Sequence, residues 1–120
     1  MVDPAPDSAR DISEVPALEV VSTAALHLMS AAAVHLGLAE DLPDHQDLDE
    51  ARTLIESLAG LVDAGAPRLG HHHAAPLRDG LRTLQLAFRE ASEIEDAPGE
   101  GPGEKYTGAV SPIRPRPSAG

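Results

Sequence analysis

The 120-residue chain has no cysteine and no tryptophan, and only one phenylalanine and one tyrosine. Without cysteine there is neither a disulfide framework nor a thiolate-bound zinc or iron–sulfur centre, and the expected compartment is the reducing cytoplasm. With almost no aromatic surface, a core must be built from Leu, Val, Ile, Met and Ala. Ala and Leu crowd the middle of the chain and favour helix. Positive charge is also scarce. Nine Lys and Arg face twenty Asp and Glu, a formal net charge of −11. Such a surface repels phosphate backbones and anionic bilayers, so no nucleic-acid or membrane partner is expected. The acidity serves solubility and would suit a basic protein partner.

The start, Met1-Val2-Asp3-Pro4-Ala5-Pro6-Asp7, is acidic and lacks the basic-then-apolar order of a signal peptide. The most apolar stretch, 20–38, includes Ser22, Thr23, His27, Ser30, His35 and Gly37. A bilayer span takes about 20 predominantly apolar residues, so this stretch is expected to fall short and to form a buried helix of a soluble protein.

Patterning predicts an all-α fold: a small three-helix domain over 16–92, a disordered tail over 1–15 and a flexible Pro/Gly-rich tail over 93–120. Pro16 suits the first turn of helix one, and Gly37 suits a left-handed stop. Helix one carries two apolar stripes, Leu18-Val21-Ala25-Leu28-Ala32 and Leu26-Met29-Ala33-Leu36, which predict a helix covered on both sides. Asp41–Gln46 reads as a turn-rich connector. Asp47 with Glu50 three residues on marks the start of helix two, and Gly65 and Pro67 are expected to end it. Arg68–Ala75 reads as a loop and Pro76 as the opening of helix three, whose seam is Leu77, Leu81, Leu84, Phe88 and Ala91. Gly80 inside that helix suggests close packing against helix one.

Several segments together resemble the DUF1844 family of uncharacterised bacterial proteins in its actinobacterial form. They are Glu19-Val20-Val21-Ser22-Thr23-Ala24-Ala25-Leu26-His27-Leu28-Met29, Asp47-Leu48-Asp49-Glu50-Ala51-Arg52, Pro76-Leu77-Arg78-Asp79-Gly80-Leu81-Arg82 and Gly101-Pro102-Gly103-Glu104-Lys105-Tyr106-Thr107-Gly108. The resemblance spans about residues 17–108. It implies a helical fold and no known activity, cofactor or catalytic residue. Through the neighbourhood of the gene for translation initiation factor three, it also implies an association with translation.

Candidate chemistry is sparse. His71-His72-His73 could ligate zinc, nickel or copper, but three adjacent residues do not converge on one ion unaided and no paired-ligand spacing accompanies them. The plainer reading is that the imidazoles cap helix three or bond the loop backbone. His27 and His35 lie about 80° apart on a helix, a poor shared ligand pair, and each is expected to be partly buried with a backbone or carboxylate partner. No nucleophile–base spacing and no phosphate-cradling loop occur. Arg78 and Arg82 make a small positive patch, for which pairing with Asp79 or Glu50 is the plain reading. Lys105-Tyr106-Thr107-Gly108-Ala109-Val110 has the look of an extended recognition segment with one aromatic anchor, for which an unselected tail is the plainer reading.

These observations predict a non-enzymatic helical protein–protein interaction module without cofactors. Few large apolar residues are available to a domain of this size, and dimerisation is a common remedy, so a homodimer is expected. Its interface is expected at Ala25, Leu28, Met29, Ala32, Ala33 and Leu36 of helix one. The alternative is a small metal- or ligand-binding protein using His71, His72 and His73.

Overall fold

The computed structural model describes residues 15–39 and 45–111. The expected tails at 1–14 and 112–120, and most of the connector, lie outside the described residues. Within them the chain is all-α and has no strand, with three main helices: α1 (Ala17–His35), α2 (Leu48–Leu69) and α3 (His71–Ala91). A single turn, α4 (Glu104–Thr107), follows.

Each end of the first connection is set by local chemistry. Leu36 closes α1, and Gly37 takes φ +79°. Its N–H bonds to the Val34 carbonyl and that of Leu38 to Ala33, the paired bonds of a Schellman stop. Asp47 is the N-cap of α2, its side chain accepting from the Glu50 N–H at 3.2 Å. The reciprocal half of a capping box is absent. The Asp47 N–H instead donates to the His35 carbonyl at 2.8 Å, tying the start of α2 to the end of α1. Gln46 Nε2 donates to the Leu36 carbonyl beside it.

The second connection differs from the sequence expectation. Neither Gly65 nor Pro67 ends α2, which runs to Leu69. The expected loop Arg68–Ala75 shrinks to one non-helical residue, Gly70, at φ +83°. Pro67 sits in the last turn of α2, where only one helical bond is forgone. Gly65 is a packing position: a Cβ there would touch Val21 of α1 at 3.4 Å. Helix α3 starts at His71 because Ala74, 1% exposed, extends the apolar seam one turn upstream. Ala74, Leu77, Leu81, Leu84 and Phe88 follow at spacings of 3, 4, 3 and 4, and all are buried.

Helix α2 is the central element and touches α1, α3 and α4. Its Ala51, Ile55, Leu58, Ala59, Val62 and Ala66 are all buried. The two stripes of α1 predict a helix covered on both sides. On α1 only Ala25 and Ala32 are buried, with Leu36 buried at its end. The two stripes merge into one arc that meets α2 and α3 from one side. Leu28, Met29 and Ala33 pack on the core edge while Leu26 stays 56% exposed. The expected close approach at Gly80 is present, since a Cβ there would lie 2.9 Å from the Met29 thioether.

Asp47→Ala should lower the unfolding free energy by about 1 kcal/mol, and Asp47→Ser should restore most of it, because the cap needs one short acceptor. Urea titrations with an unchanged slope would show this; an unaltered midpoint for the alanine variant would contradict it.

Candidate functional site

The helical bundle does not end the fold. Residues 93–111 were expected to be part of a flexible tail, and that expectation is corrected here: the chain folds back across α2 and α3 as a strap. Gly101, Pro102, Gly103, Glu104 and Val110 are buried. Two polar residues of α3, Gln85 and Arg89, lie one turn apart among its apolar seam and reach the strap. Gln85 Nε2 donates to the Pro102 carbonyl at 3.1 Å and to Thr107 Oγ1 at 3.1 Å.

Arg89 forms the anchor. Nε and Nη2 donate to the two carboxylate oxygens of Glu104 at 2.7 and 2.9 Å. Nη1 and Nη2 also donate to the Asp96 and Ala97 carbonyls. Glu104 accepts a further bond from the Gly99 N–H at 2.9 Å. The side chains are 7% and 0% exposed, so the pair is withdrawn from water and needs this full set of partners. Among the described residues no buried side-chain nitrogen or oxygen lacks a partner. Burial by itself penalises the Glu104 charge. The Arg89 and Gly99 hydrogen bonds, with the Arg89 charge, outweigh that penalty and hold the carboxyl below its ordinary value. The Glu104 hydrogen bond likewise raises Arg89, against desolvation.

Two glycines let the strap lie this close. Gly101 faces the Glu104 carboxylate, which would overlap any Cβ. Gly103 has φ +76°, and a Cβ there would sit 2.6 Å from that of Ala59 on α2. Tyr106 lies over Gly60, where a Cβ would meet the ring at 3.5 Å, an ordinary contact distance. The segment read as an extended recognition peptide is thus a helical turn bound to its own chain, with Tyr106 still 42% exposed. Further along, Arg52 pairs with Asp96 at 2.9 Å and lies 4.9 Å over the Phe88 ring.

Between α2, α3 and the strap runs a groove of about 470 Å³. Val62, Leu81 and Val110 supply apolar wall, while Asp63, Asp79, Arg78 and Arg82 bring both signs of charge to it. Arg82 pairs with neither Asp79 nor Glu50 within the bundle; it donates to the Ser111 carbonyl at 3.0 Å. Among the described residues, Thr53, Thr83, Ser92 and Thr107 donate their hydroxyl protons to backbone carbonyls. None of these hydroxyls bonds to a histidine or carboxylate side chain.

His71, His72 and His73 form the exposed first turn of α3, contrary to the loop expected for them. Successive helical residues diverge by about 100°, so the three imidazoles do not converge. The rings of His72 and His73 meet edge to face at 5.3 Å, and no side chain caps the helix. Among the described residues no three potential ligands form a metal cluster. Of the expected interface residues, Ala25, Ala32 and Leu36 are covered within the chain, and Leu28, Met29 and Ala33 pack on the same core. The first three are core residues of this fold and the other three are partly buried against it, because α1 uses that arc to meet α2 and α3.

The architecture is that of a small all-α domain, a helical hairpin flanked by α1 and fastened by a C-terminal strap. Residues 17–90 match the family described as "Domain of unknown function (DUF1844)", and the chain belongs to that family. No curated protein and no solved structure matches it.

The strap depends on Glu104. Glu104→Ala leaves Arg89 buried without its partner and should cost about 3–5 kcal/mol. Residues 99–110 should then exchange amide hydrogens far faster, and Lys105 should become an early trypsin site. A strap that stays protected would refute the anchor. Replacing both partners, Arg89→Met with Glu104→Leu, should cost less than Glu104→Ala, since no charge is left stranded.

The pair also sets an acid limit. The folded-state pKa of Glu104 lies below its ordinary value of 4.5, so its contribution is complete above that value and is lost as pH falls through the folded pKa. Urea midpoints of the native chain should therefore drop below about pH 4.5, and Glu104→Gln should flatten that part of the profile. Equal acid slopes in the two proteins would count against it.

Proposed function

We propose that the protein is a non-enzymatic interaction module that binds another polypeptide through the outer face of α1. One observation carries this reading: α1 is the most apolar helix, yet only Ala25 and Ala32 of its 19 residues are buried. Of the six large apolar side chains left exposed among the described residues, four lie on α1 or at its flanks: Val15, Val20, Leu26 and Leu38. Apolar surface kept in water forgoes roughly 25 cal/mol per Å², and a contiguous patch of it marks a binding face.

By length and composition α1 is also apolar enough to cross a membrane. This differs from the sequence expectation: over 19 residues with one formal charge, Glu19, the Ala, Val and Leu side chains outweigh Ser22, Thr23, His27, Ser30 and His35. A polypeptide partner fits the face better. The His27 imidazole is exposed on it and needs hydrogen-bonding company, and the chain's net charge of −11 disfavours an anionic lipid surface. The opposite arc is engaged on α2 and α3 through Ala25, Ala32 and the contact of Met29 with Gly80.

A photo-crosslinking amino acid at Thr23 should form adducts with a polypeptide in cells, whereas the same probe at exposed Thr53 of α2 should not. Equal adducts at both positions, or lipid adducts at Thr23, would refute the proposal.

A further inference from the structure

We infer that the occupant of the outer α1 face is a second copy of the same chain, paired antiparallel about a two-fold axis that passes beside His27. The inference rests on the α1 face proposed above and adds the identity and register of what covers it. Three observations support it.

The first is a seam distinct from the one that builds the core. Val20, Thr23, His27, Ser30 and Val34 recur at spacings of 3, 4, 3 and 4, so they share one face over two heptads. That face points away from Ala25 and Ala32. Val20, Thr23, His27 and Ser30 are exposed and Val34 is half-buried. Beside the seam, Ala24 and Ala31 keep the surface low enough for a helix backbone to approach closely.

The second observation is the symmetry of that seam. Read outward from His27, it meets a small hydroxyl residue and then a valine in both directions. A two-fold interface places one patch against itself, so it requires this kind of self-complementarity. With the axis at His27, Val20 faces Val34 of the second copy, and Thr23 lies within one residue of the copy's Ser30. The hydroxyls need no cross-helix partner, since Thr and Ser on a helix can bond the carbonyl one turn back, as Thr53 and Thr83 do here. The same register lays the α1 end that carries Val34 and exposed Leu38 along a hollow of about 250 Å³ bordered by Val15, Glu19, Val20 and Thr23.

The third is charge. Two copies each carrying −11 repel through most of their surfaces. The outer faces of α2 and α3 present Asp49, Glu50, Asp63, Asp79 and Glu90. Between Val20 and Val34 there is no carboxylate at all. This is the face on which two such chains can meet without bringing acidic groups together.

Because the chain has no cysteine, single cysteines report the register directly. His27→Cys places two thiols next to the axis, within disulfide reach for closely packed helices. Val20→Cys places them fourteen positions apart, about 21 Å along the helices. Under mild oxidation His27→Cys should become mostly covalent dimer. Val20→Cys alone should not, but Val20→Cys mixed with Val34→Cys should. Sedimentation equilibrium at micromolar concentration should return twice 12.5 kDa for the native chain and 12.5 kDa for Val20→Glu. Circular dichroism should show the variant equally helical, because residue 20 is exposed. Self-linking of Val20→Cys without that of His27→Cys would overturn the register. A native chain that stays at 12.5 kDa overturns the second copy. If that monomer still forms the Thr23 adduct with a different polypeptide, the interaction module stands; if it forms none, both readings fall.

Discussion

A core with one phenylalanine cannot be filled by bulk, so this fold is closed by close approach. Helix α2 bears most of that burden, because three elements pack on it. Its small residues mark the places where they do. Ala59 lies under Gly103, Gly60 under Tyr106, and Gly65 against Val21 of α1. Ile55, Leu58 and Val62 fill the space between. Dispersion falls steeply with separation, so short distances substitute for large side chains.

The same economy explains why a buried ion pair fastens the strap. Residues 93–109 offer few large apolar groups, and Ile94, the largest aliphatic one, is 89% exposed. Apolar burial alone would not order so polar a segment against its conformational entropy. Arg89 instead collects Glu104 and two strap carbonyls in one planar donor set, and Gln85 adds a second tie one turn away. Such an arrangement stabilises the strap less than its count of bonds suggests, because desolvation opposes it. It does specify a single register, since the glycines at 101 and 103 admit the carboxylate and the α2 surface only there.

Much of this was legible in the residues before any coordinates. The stop at Gly37, the cap at Asp47, the α3 seam and the tight spot at Gly80 each follow from a local rule about backbone or period. The misread features share a cause. Gly65 and Pro67 look like terminators, yet a helix held by tertiary contacts tolerates them in its last turns. His71-His72-His73 looks like a loop until Ala74 is known to be buried. Gln85 and Arg89 at positions i and i+4 beside the buried seam were the available sign that something polar covers α3. The Gly-Pro-Gly-Glu run was the matching sign on the strap, and composition made that run look like a tail.

Sequence by itself determined the helical class, the helix starts and stops that depend on neighbouring residues, and the family to which the chain belongs. Only the tertiary structure decided which helix is central and which arc of α1 meets the core. It also decided that residues 101–110 fold back. Those outcomes depend on pairs such as Arg89 with Glu104 and Ala59 with Gly103, which are 15 and 44 positions apart. Periodicity reports which face of an element is apolar; it carries no information about which of several apolar faces another element will reach first.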